Sequence, residues 1–248
     1  MQDSPFLPGV PAEAVTAALR RSPGNELASG KFASPESSAA LAANAFGWFL
    51  TRPEALPPLP GVPMGQPQEV EIEAEMHFPW RGGRHPWLDA ALTTATTLVG
   101  VESKRYEPFR PGKLVEFSEA FDRDWGAGMA PFDRLRRALM TGQGGYRSLD
   151  AAQLVKHAFA LHHQAQKRGR GAVLVYLYAE PSQWASGKPV DPARLNLHRE
   201  EVARFAKAVH GASVTFAPLT WAGLLAQWQT DPALATHAAE IARRFGPL

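Results

Sequence analysis

The chain has 248 residues, of which 45% are hydrophobic, and its formal net charge at pH 7 is +2. This length and composition predict a globular protein with a substantial hydrophobic core. The absence of cysteine excludes disulfides, thiolate nucleophiles and cysteine-ligated metal centres. The sequence shows no basic start followed by an apolar run and no stretch of roughly 18 apolar residues, so we expect a cytoplasmic protein without a membrane partner.

The charge is distributed unevenly along the chain. Residues 1–80 contain 4 Lys+Arg and 9 Asp+Glu, whereas residues 81–248 contain 22 and 15. Basic clusters in the second part, such as Lys104 with Arg105, would contact a phosphate backbone if they share one face. Scattered, solvated charge remains the alternative explanation for any one cluster.

The stretch "SPESSAALAANAFGWF" predicts the first long helix. Ser34 suits the N-cap, Pro35 the first helical position and Glu36 the first turn, where a negative charge complements the helix dipole. Ser38 and Asn44 are polar residues on this helix. They would either face a cleft, where they reach a phosphate or hold Glu36, or be ordinary exposed residues.

The stretch "EVEIEAEMHF" at 69–78 alternates without a break, which predicts a half-buried strand near a sheet edge. Its inward residues are expected to be Val70, Ile72, Ala74, Met76 and Phe78.

Two further strands are predicted at 88–94 and 98–105, joined in a hairpin that turns between Ala95 and Thr96. Opposing residue numbers then sum to 191, so Asp89 faces Glu102, and Lys104 lies on the same face. The opposite, apolar face should hold Leu88, Ala90, Leu92, Val99 and Val101.

The rest of the chain alternates between helix and strand patterns. In order, the sequence predicts a segment rich in glycine and proline (106–147) with one helix (131–140), a helix capped by Ser148, a buried strand (172–180), a helix (195–209), a strand (213–218) and two helices (220–229 and 232–245). The fold class is therefore α/β: an αβββαβ core, a central mixed sheet flanked by helices, and a C-terminal α-β-α-α extension.

The two carboxylates predicted to face each other repel unless a cation lies between them. Asp89 and Glu102 offer the oxygen ligands that Mg²⁺ prefers. Lys104, one pleat along, would orient a water molecule or stabilise negative charge on phosphorus, which suits phosphodiester hydrolysis. The alternative is a surface cross-strand ion pair, which is worth about 1 kcal/mol at most.

Asp89, twelve intervening residues and then Glu102-Ser103-Lys104 resemble the D…(D/E)xK motif of the PD-(D/E)xK, or restriction-endonuclease-like, nuclease superfamily. The element order over 34–180 is similar to the αβββαβ core of that superfamily. One domain spanning 1–248 is expected, with an insertion at 106–147 and the extension at 190–248. Leu88 stands where the motif has proline.

The resemblance implies a site for Mg²⁺, with Mn²⁺ as a substitute. Its ligands would be Asp89, Glu102 and the backbone carbonyl of Ser103, and Lys104 would act on the attacking water. Many members add an acidic residue on the first core helix. Glu36 is the residue in that position here, and Glu26 is the competing choice.

The helix that follows the insertion often lines the site in this superfamily. Gln153 and His157 lie one turn apart, with Lys156 adjacent, on the side away from the apolar stripe of this helix. Gln153 or Lys156 is expected to contact substrate or to support the catalytic residues, unless both simply face solvent.

The function expected from these observations is Mg²⁺-dependent hydrolysis of DNA, with nucleic acid as the partner. A homodimer would suit cleavage of both strands of a duplex. The alternative is a catalytically inactive nucleic-acid-binding or scaffold protein of the same fold.

Overall fold

The computed structural model describes residues 4–24, 26–111 and 116–248. The helices and strands in these ranges are α1 (Ala12–Arg21), α2 (Ser38–Gly47), β1 (Glu69–Glu75), β2 (Trp87–Thr93), β3 (Thr97–Lys104), α3 (Ala130–Met140), α4 (Ala151–Lys167), β4 (Gly171–Tyr178), α5 (Pro192–Ala208), β5 (Val214–Thr220), α6 (Trp221–Thr230) and α7 (Ala235–Phe245). None of the helices in these ranges has the length and apolar character needed to span a membrane.

The five strands form one mixed sheet in the order β1-β2-β3-β4-β5. Neighbouring strands are antiparallel from β1 to β3 and parallel from β3 to β5. This sheet and its flanking helices confirm the predicted α/β fold with a restriction-endonuclease-like core. The C-terminal segment extends the same sheet through β5.

Helices cover both faces of the sheet and form two hydrophobic cores. Helices α1, α2, α6 and α7 pack on one face, where Phe46, Trp221 and Trp228 are fully buried. Helices α3, α4 and α5 pack on the other face around Phe159 and Phe205. The central strands β3 and β4 are nearly continuously buried because both faces are covered.

The hairpin of β2 and β3 has the predicted register. Ala90 lies opposite Val101 and Leu92 opposite Val99, so the paired residue numbers sum to 191. The Thr94 N–H donates to the Thr97 carbonyl at 2.9 Å and closes the turn.

The prediction that Leu88 shares a face with Ala90 and Leu92 is wrong. Glu73 on the paired strand β1 has a φ of 49°, and the regular pairing of β1 with β2 skips Glu73 and Asp89. Beyond this break the strands present the opposite face, so Ala74 and Leu88 join the α4 core instead. A non-glycine residue in this conformation costs about 1–3 kcal/mol and often occurs at functional sites.

Helix α2 begins at Ser38, three residues later than Pro35, the predicted first helical position. The Ser34 hydroxyl accepts the Glu36 N–H at 3.3 Å and the Ser34 carbonyl accepts the Ser37 N–H at 3.1 Å, so residues 34–37 form a turn. Ser37 caps the helix by accepting the Ala40 N–H at 3.0 Å. Glu36 therefore precedes the helix and does not lie in its first turn.

The cap of α4 also differs from the prediction. Asp150 accepts the Gln153 N–H at 2.9 Å and is the N-cap. The Ser148 hydroxyl instead donates to the Pro108 carbonyl at 2.6 Å. Ser148 thus ties the start of α4 to the chain that follows β3.

Candidate active site

Asp89 lies where β2 and β3 separate. The last regular pair between these strands is Ala90 with Val101. Beyond that pair, the Asp89 Oδ2 accepts the backbone N–H of Ser103 at 2.6 Å. The carboxylate therefore occupies the gap between the strands, next to the backbone of the ExK segment.

Glu102 and Lys104 project from β3 toward α4. Lys104 Nζ donates to Glu102 Oε1, and the two side chains are 16% and 4% exposed. The other carboxylate oxygen, Oε2, lies 3.2 Å from His157 Nδ1 on α4. Helix packing thus places a buried imidazole beside the second carboxylate oxygen of Glu102.

Burial and neighbouring negative charges raise the pKa values of Asp89, Glu102 and Glu73 at this site. Burial raises the pKa of Asp89 to about 8, and the nearby Glu102 carboxylate adds to the shift. Burial also raises the pKa of Glu102, although the Lys104 ammonium opposes it. Glu73, half-buried near Asp89, has its pKa raised to about 7 by burial and then by the Asp89 charge. A bound cation would favour the ionised form of all three carboxylates.

The pKa values of Lys104 and His157, the two basic groups of the site, shift in opposite directions. Burial alone would lower the pKa of Lys104, but the carboxylates of Glu102, Glu107 and Asp89 raise it overall, so Lys104 is an ammonium. Burial and then the Lys104 charge lower the pKa of His157 to about 3, so its imidazole is neutral.

The donors around Asp89 suit a hard divalent cation. The Lys104 carbonyl accepts the N–H of Ala179, the residue that follows β4, at 2.9 Å, and successive residues of a strand direct their backbone groups to alternate sides. The Ser103 carbonyl therefore points toward β2, the side on which Asp89 binds the Ser103 N–H. Two carboxylates and a carbonyl are a normal partial ligand set for Mg²⁺, which retains water ligands. Among the described residues, no group of three His, Asp or Glu side chains is placed so that it could hold a metal ion.

Sequence reasoning missed Glu107, which follows the motif in the short helix Glu107–Phe109. It accepts hydrogen bonds from the Ser38 hydroxyl and from the Arg105 N–H. Although burial alone would raise the pKa of Glu107, the charge of Lys104 and these hydrogen bonds lower it. The sequence feature that could have identified Glu107 is its position three residues after Lys104. Ser38 thus reaches the site through Glu107 and not through Glu36.

A cleft of about 440 Å³ opens beside Lys104. Gln153 and Glu26 line it, as does Glu107. Its wall also carries Lys31, Arg110, Arg147, Ser148, Asp150 and Tyr176. Of the two candidate acidic residues that precede the sheet, Glu26 therefore lies in the cleft with Lys104.

Glu36 lies elsewhere. Its carboxylate pairs with Arg110 and accepts the Ala185 N–H at 3.3 Å. It lines a separate groove with Trp184 and Lys188. Because α2 starts after this residue, the helix does not direct Glu36 toward Asp89.

Two residues proposed to contact nucleic acid are structural instead. Arg105 is 2% exposed, and its guanidinium donates to the carbonyls of Pro35 and Phe245. Asn44 is fully buried; its side chain accepts the Leu7 N–H at 2.7 Å and donates to backbone carbonyls. Neither side chain is accessible to a phosphate, so these two predictions are wrong.

The remaining candidates on α4, Lys156 and His157, differ in their exposure to solvent. Lys156 is partly exposed, with Nζ 5.2 Å from the centre of the Phe117 ring. His157, which the sequence predicts on the polar side of the helix, is 2% exposed and faces Glu102. The assignment failed because β3 supplies a polar partner on the buried side of α4.

Comparison with known proteins identifies the family. The family model described as "Restriction Endonuclease associating with ARP" matches residues 7–246, nearly the whole chain. No curated protein and no solved structure matches the chain. The family supports the resemblance to restriction-endonuclease-like nucleases and indicates a nuclease-like function. The chain belongs to the family of restriction endonucleases associating with ARP.

Proposed function

We propose that this protein is a Mg²⁺-dependent nuclease that hydrolyses phosphodiester bonds of DNA. The observation that carries the proposal is the convergence of Asp89, Glu102 and Lys104 at the point where β2 and β3 separate, beside the cleft. The restriction-endonuclease family of the chain supports the same reaction.

The site residues have different roles in the proposed reaction. Asp89, Glu102 and the Ser103 carbonyl hold the metal, for which Mn²⁺ can substitute. When bound, the metal supplies electrostatic stabilisation and acidifies water. Lys104, as an ammonium, donates a hydrogen bond to the attacking water or to the phosphate oxygen on which charge builds. Glu102 keeps that ammonium in place through Oε1.

The cleft provides features that suit a nucleic-acid strand. Lys31, Arg110 and Arg147 are exposed on its wall and offer positive charge for phosphates. Gln153 and Glu26 lie close enough to the cleft to contact substrate or water. Lys156, farther along α4, is a further candidate for phosphate contact.

Cleavage of plasmid and linear DNA with Mg²⁺ or Mn²⁺ tests the proposal. We expect Lys104→Ala and Asp89→Asn to reduce the cleavage rate by at least about 10²-fold, because each removes charge stabilisation at the reacting phosphate. Lys167→Ala and Glu75→Gln, at exposed surface positions, are the matched controls and should cleave like the wild type. Circular dichroism checks that each variant is folded.

Undiminished cleavage by folded Lys104→Ala would contradict the assigned mechanism. A second candidate, a catalytically inactive DNA-binding protein, is favoured by one observation: Lys104 and His157 already contact both oxygens of Glu102. That candidate predicts salt-sensitive DNA binding but no cleavage with either metal. We also propose a homodimer as the form that cuts both strands, which light scattering with and without DNA would test.

A further inference from the structure

The loop between β4 and α5 is a fixed hairpin beside the candidate site. Because β3 and β4 are parallel, the chain leaves β4 at the edge of the sheet where Lys104 lies, opposite Tyr178. Within the loop, the Trp184 N–H donates to the Lys188 carbonyl at 2.7 Å. Residues 185–188 form its exposed tip. The loop thus presents a defined surface close to the motif.

Contacts with the rest of the chain hold this loop in place. The Tyr106 hydroxyl donates to the Gln183 carbonyl at 3.1 Å, and the rings of Tyr106 and Trp184 stack with their centres 5.2 Å apart. The Ala185 N–H donates to the Glu36 carboxylate at 3.3 Å. Because these contacts fix the loop, its side chains can bind a ligand without the cost of ordering a flexible segment.

A groove of about 470 Å³ lies between this loop and the short helix Glu107–Phe109. We call it the Trp184 groove; its walls include Glu36, Phe109, Trp184, Lys188, Asp191 and Arg194. Arg110 joins it to the cleft, because Arg110 lines the cleft and its guanidinium binds Glu36 in the groove. Glu107 lines the cleft and Phe109 lines the groove, and two residues of chain span at most about 7 Å. The cleft and the groove are therefore neighbours on one surface.

The Trp184 groove has an excess of positive charge. Arg194 donates from its guanidinium to a backbone carbonyl of the groove wall, which holds it there. In the described ranges, no carboxylate forms an ion pair with Arg194 or Lys188. The two carboxylates of the groove have other partners: Glu36 pairs with Arg110, and Asp191 caps α5. Two cations are thus available to an anionic ligand.

We propose that the DNA strand that enters the cleft continues into the Trp184 groove, where Arg194 and Lys188 bind phosphates of its backbone. Arg110 lies between the two cavities and supplies a further cation along the same path. Guanidinium and ammonium groups both suit phosphate oxygens. The inference rests on the proposed function, because it concerns the same DNA substrate. It extends the binding surface to a loop outside the D…(D/E)xK motif.

Fluorescence anisotropy of a labelled DNA duplex bound to the full chain tests the proposal. Ca²⁺, which also prefers oxygen ligands, replaces Mg²⁺, and a gel checks that the DNA stays intact. Lys188→Ala should weaken binding by about three- to tenfold near 0.1 M salt and lower the slope of log K against log salt by about 1. Lys188→Arg, which keeps the charge, should bind like the wild type. Lys207→Ala removes the same charge at the opposite, exposed end of α5 and is the control.

The outcomes separate this inference from the proposed nuclease. Equal salt slopes for the wild type and Lys188→Ala would overturn the groove as a DNA contact and leave the nuclease proposal standing. A lower slope for Lys188→Ala alone, in a protein that cleaves no DNA with Mg²⁺ or Mn²⁺, would support the groove and contradict the nuclease. Absence of DNA binding by the wild type at low salt would overturn both. Alanine keeps the backbone carbonyl that Trp184 binds, so the loop should persist in Lys188→Ala, which circular dichroism checks.

Discussion

At the scale of single residues, the absence of a side chain at Gly100 lets α4 approach the strand that carries Glu102. A Cβ at this position would lie 2.4 Å from Leu88 Cδ1 and 3.3 Å from Leu161 Cδ2. Leu88 occupies this space because the strand break at Glu73 turns it toward α4. The same break thus shapes the core beside Asp89.

We expect Gly100→Ala to lower the free energy of unfolding by about 1–3 kcal/mol, since Leu88 and Leu161 must move to admit the methyl group. Urea denaturation measures this loss. Gly65→Ala is the control, because a Cβ there meets no atom within 4 Å and the change should stay within about 0.5 kcal/mol. Equal stability of the two variants would show that α4 is not closely packed at Gly100.

At the scale of elements, Glu201 of α5 holds the segment that leads into α4. Its buried carboxylate accepts the N–H groups of Arg147, Ser148 and Leu149, each at 2.8 Å. These three residues line the cleft beside Lys104. A residue on a different helix therefore fixes one wall of the site.

We expect Glu201→Gln to cost about 2–4 kcal/mol of unfolding free energy, because the amide carries no charge and offers only one oxygen to the three donors. Amide hydrogen exchange at 147–149 should accelerate at the same time. Glu200→Gln, the exposed neighbour on α5, is the control and should change neither quantity. Unaltered exchange at 147–149 in Glu201→Gln would show that the segment is held by other contacts.

At the scale of the whole molecule, buried histidines couple the stability of the fold to pH. His198 and His237 lie on opposite faces of the sheet, and burial lowers the pKa of each to about 4 from an ordinary 6.5. Above pH 6.5 neither state binds these protons. Between pH 6.5 and 4 the unfolded chain binds them and the folded chain does not, so stability falls as pH falls through this window.

We expect His237→Gln to reduce the slope of the unfolding free energy against pH. Near pH 5 the reduction should be about 1.4 kcal/mol per pH unit, which is the contribution of one proton. Urea denaturation of the metal-free protein from pH 4 to 7 measures the slope. His210→Gln, at an exposed position, is the control and should retain the wild-type slope. An unchanged slope in His237→Gln would mean that His237 takes up its proton in the folded state.

The hairpin register and the order of helices and strands were predictable because they follow from local patterns. Alternating apolar residues define a strand, and a turn centred between Ala95 and Thr96 sets every pair up to Ala90 with Val101. The pairing of an acidic residue with the ExK segment followed from that register. Leu88 departed from the predicted face, as did Ala74 on β1, because the φ of 49° at Glu73 has no signature in the sequence. Regular pairing also ended before Asp89 and Glu102.

The sequence by itself determined the α/β order, the register and the motif residues Asp89, Glu102 and Lys104. Only the tertiary structure decided which other polar side chains join them. It placed His157 on Glu102 and Glu26 in the cleft, and it buried Arg105. The physical reason is that periodicity shows which residues share a face, whereas the partner of that face comes from segments distant in the chain.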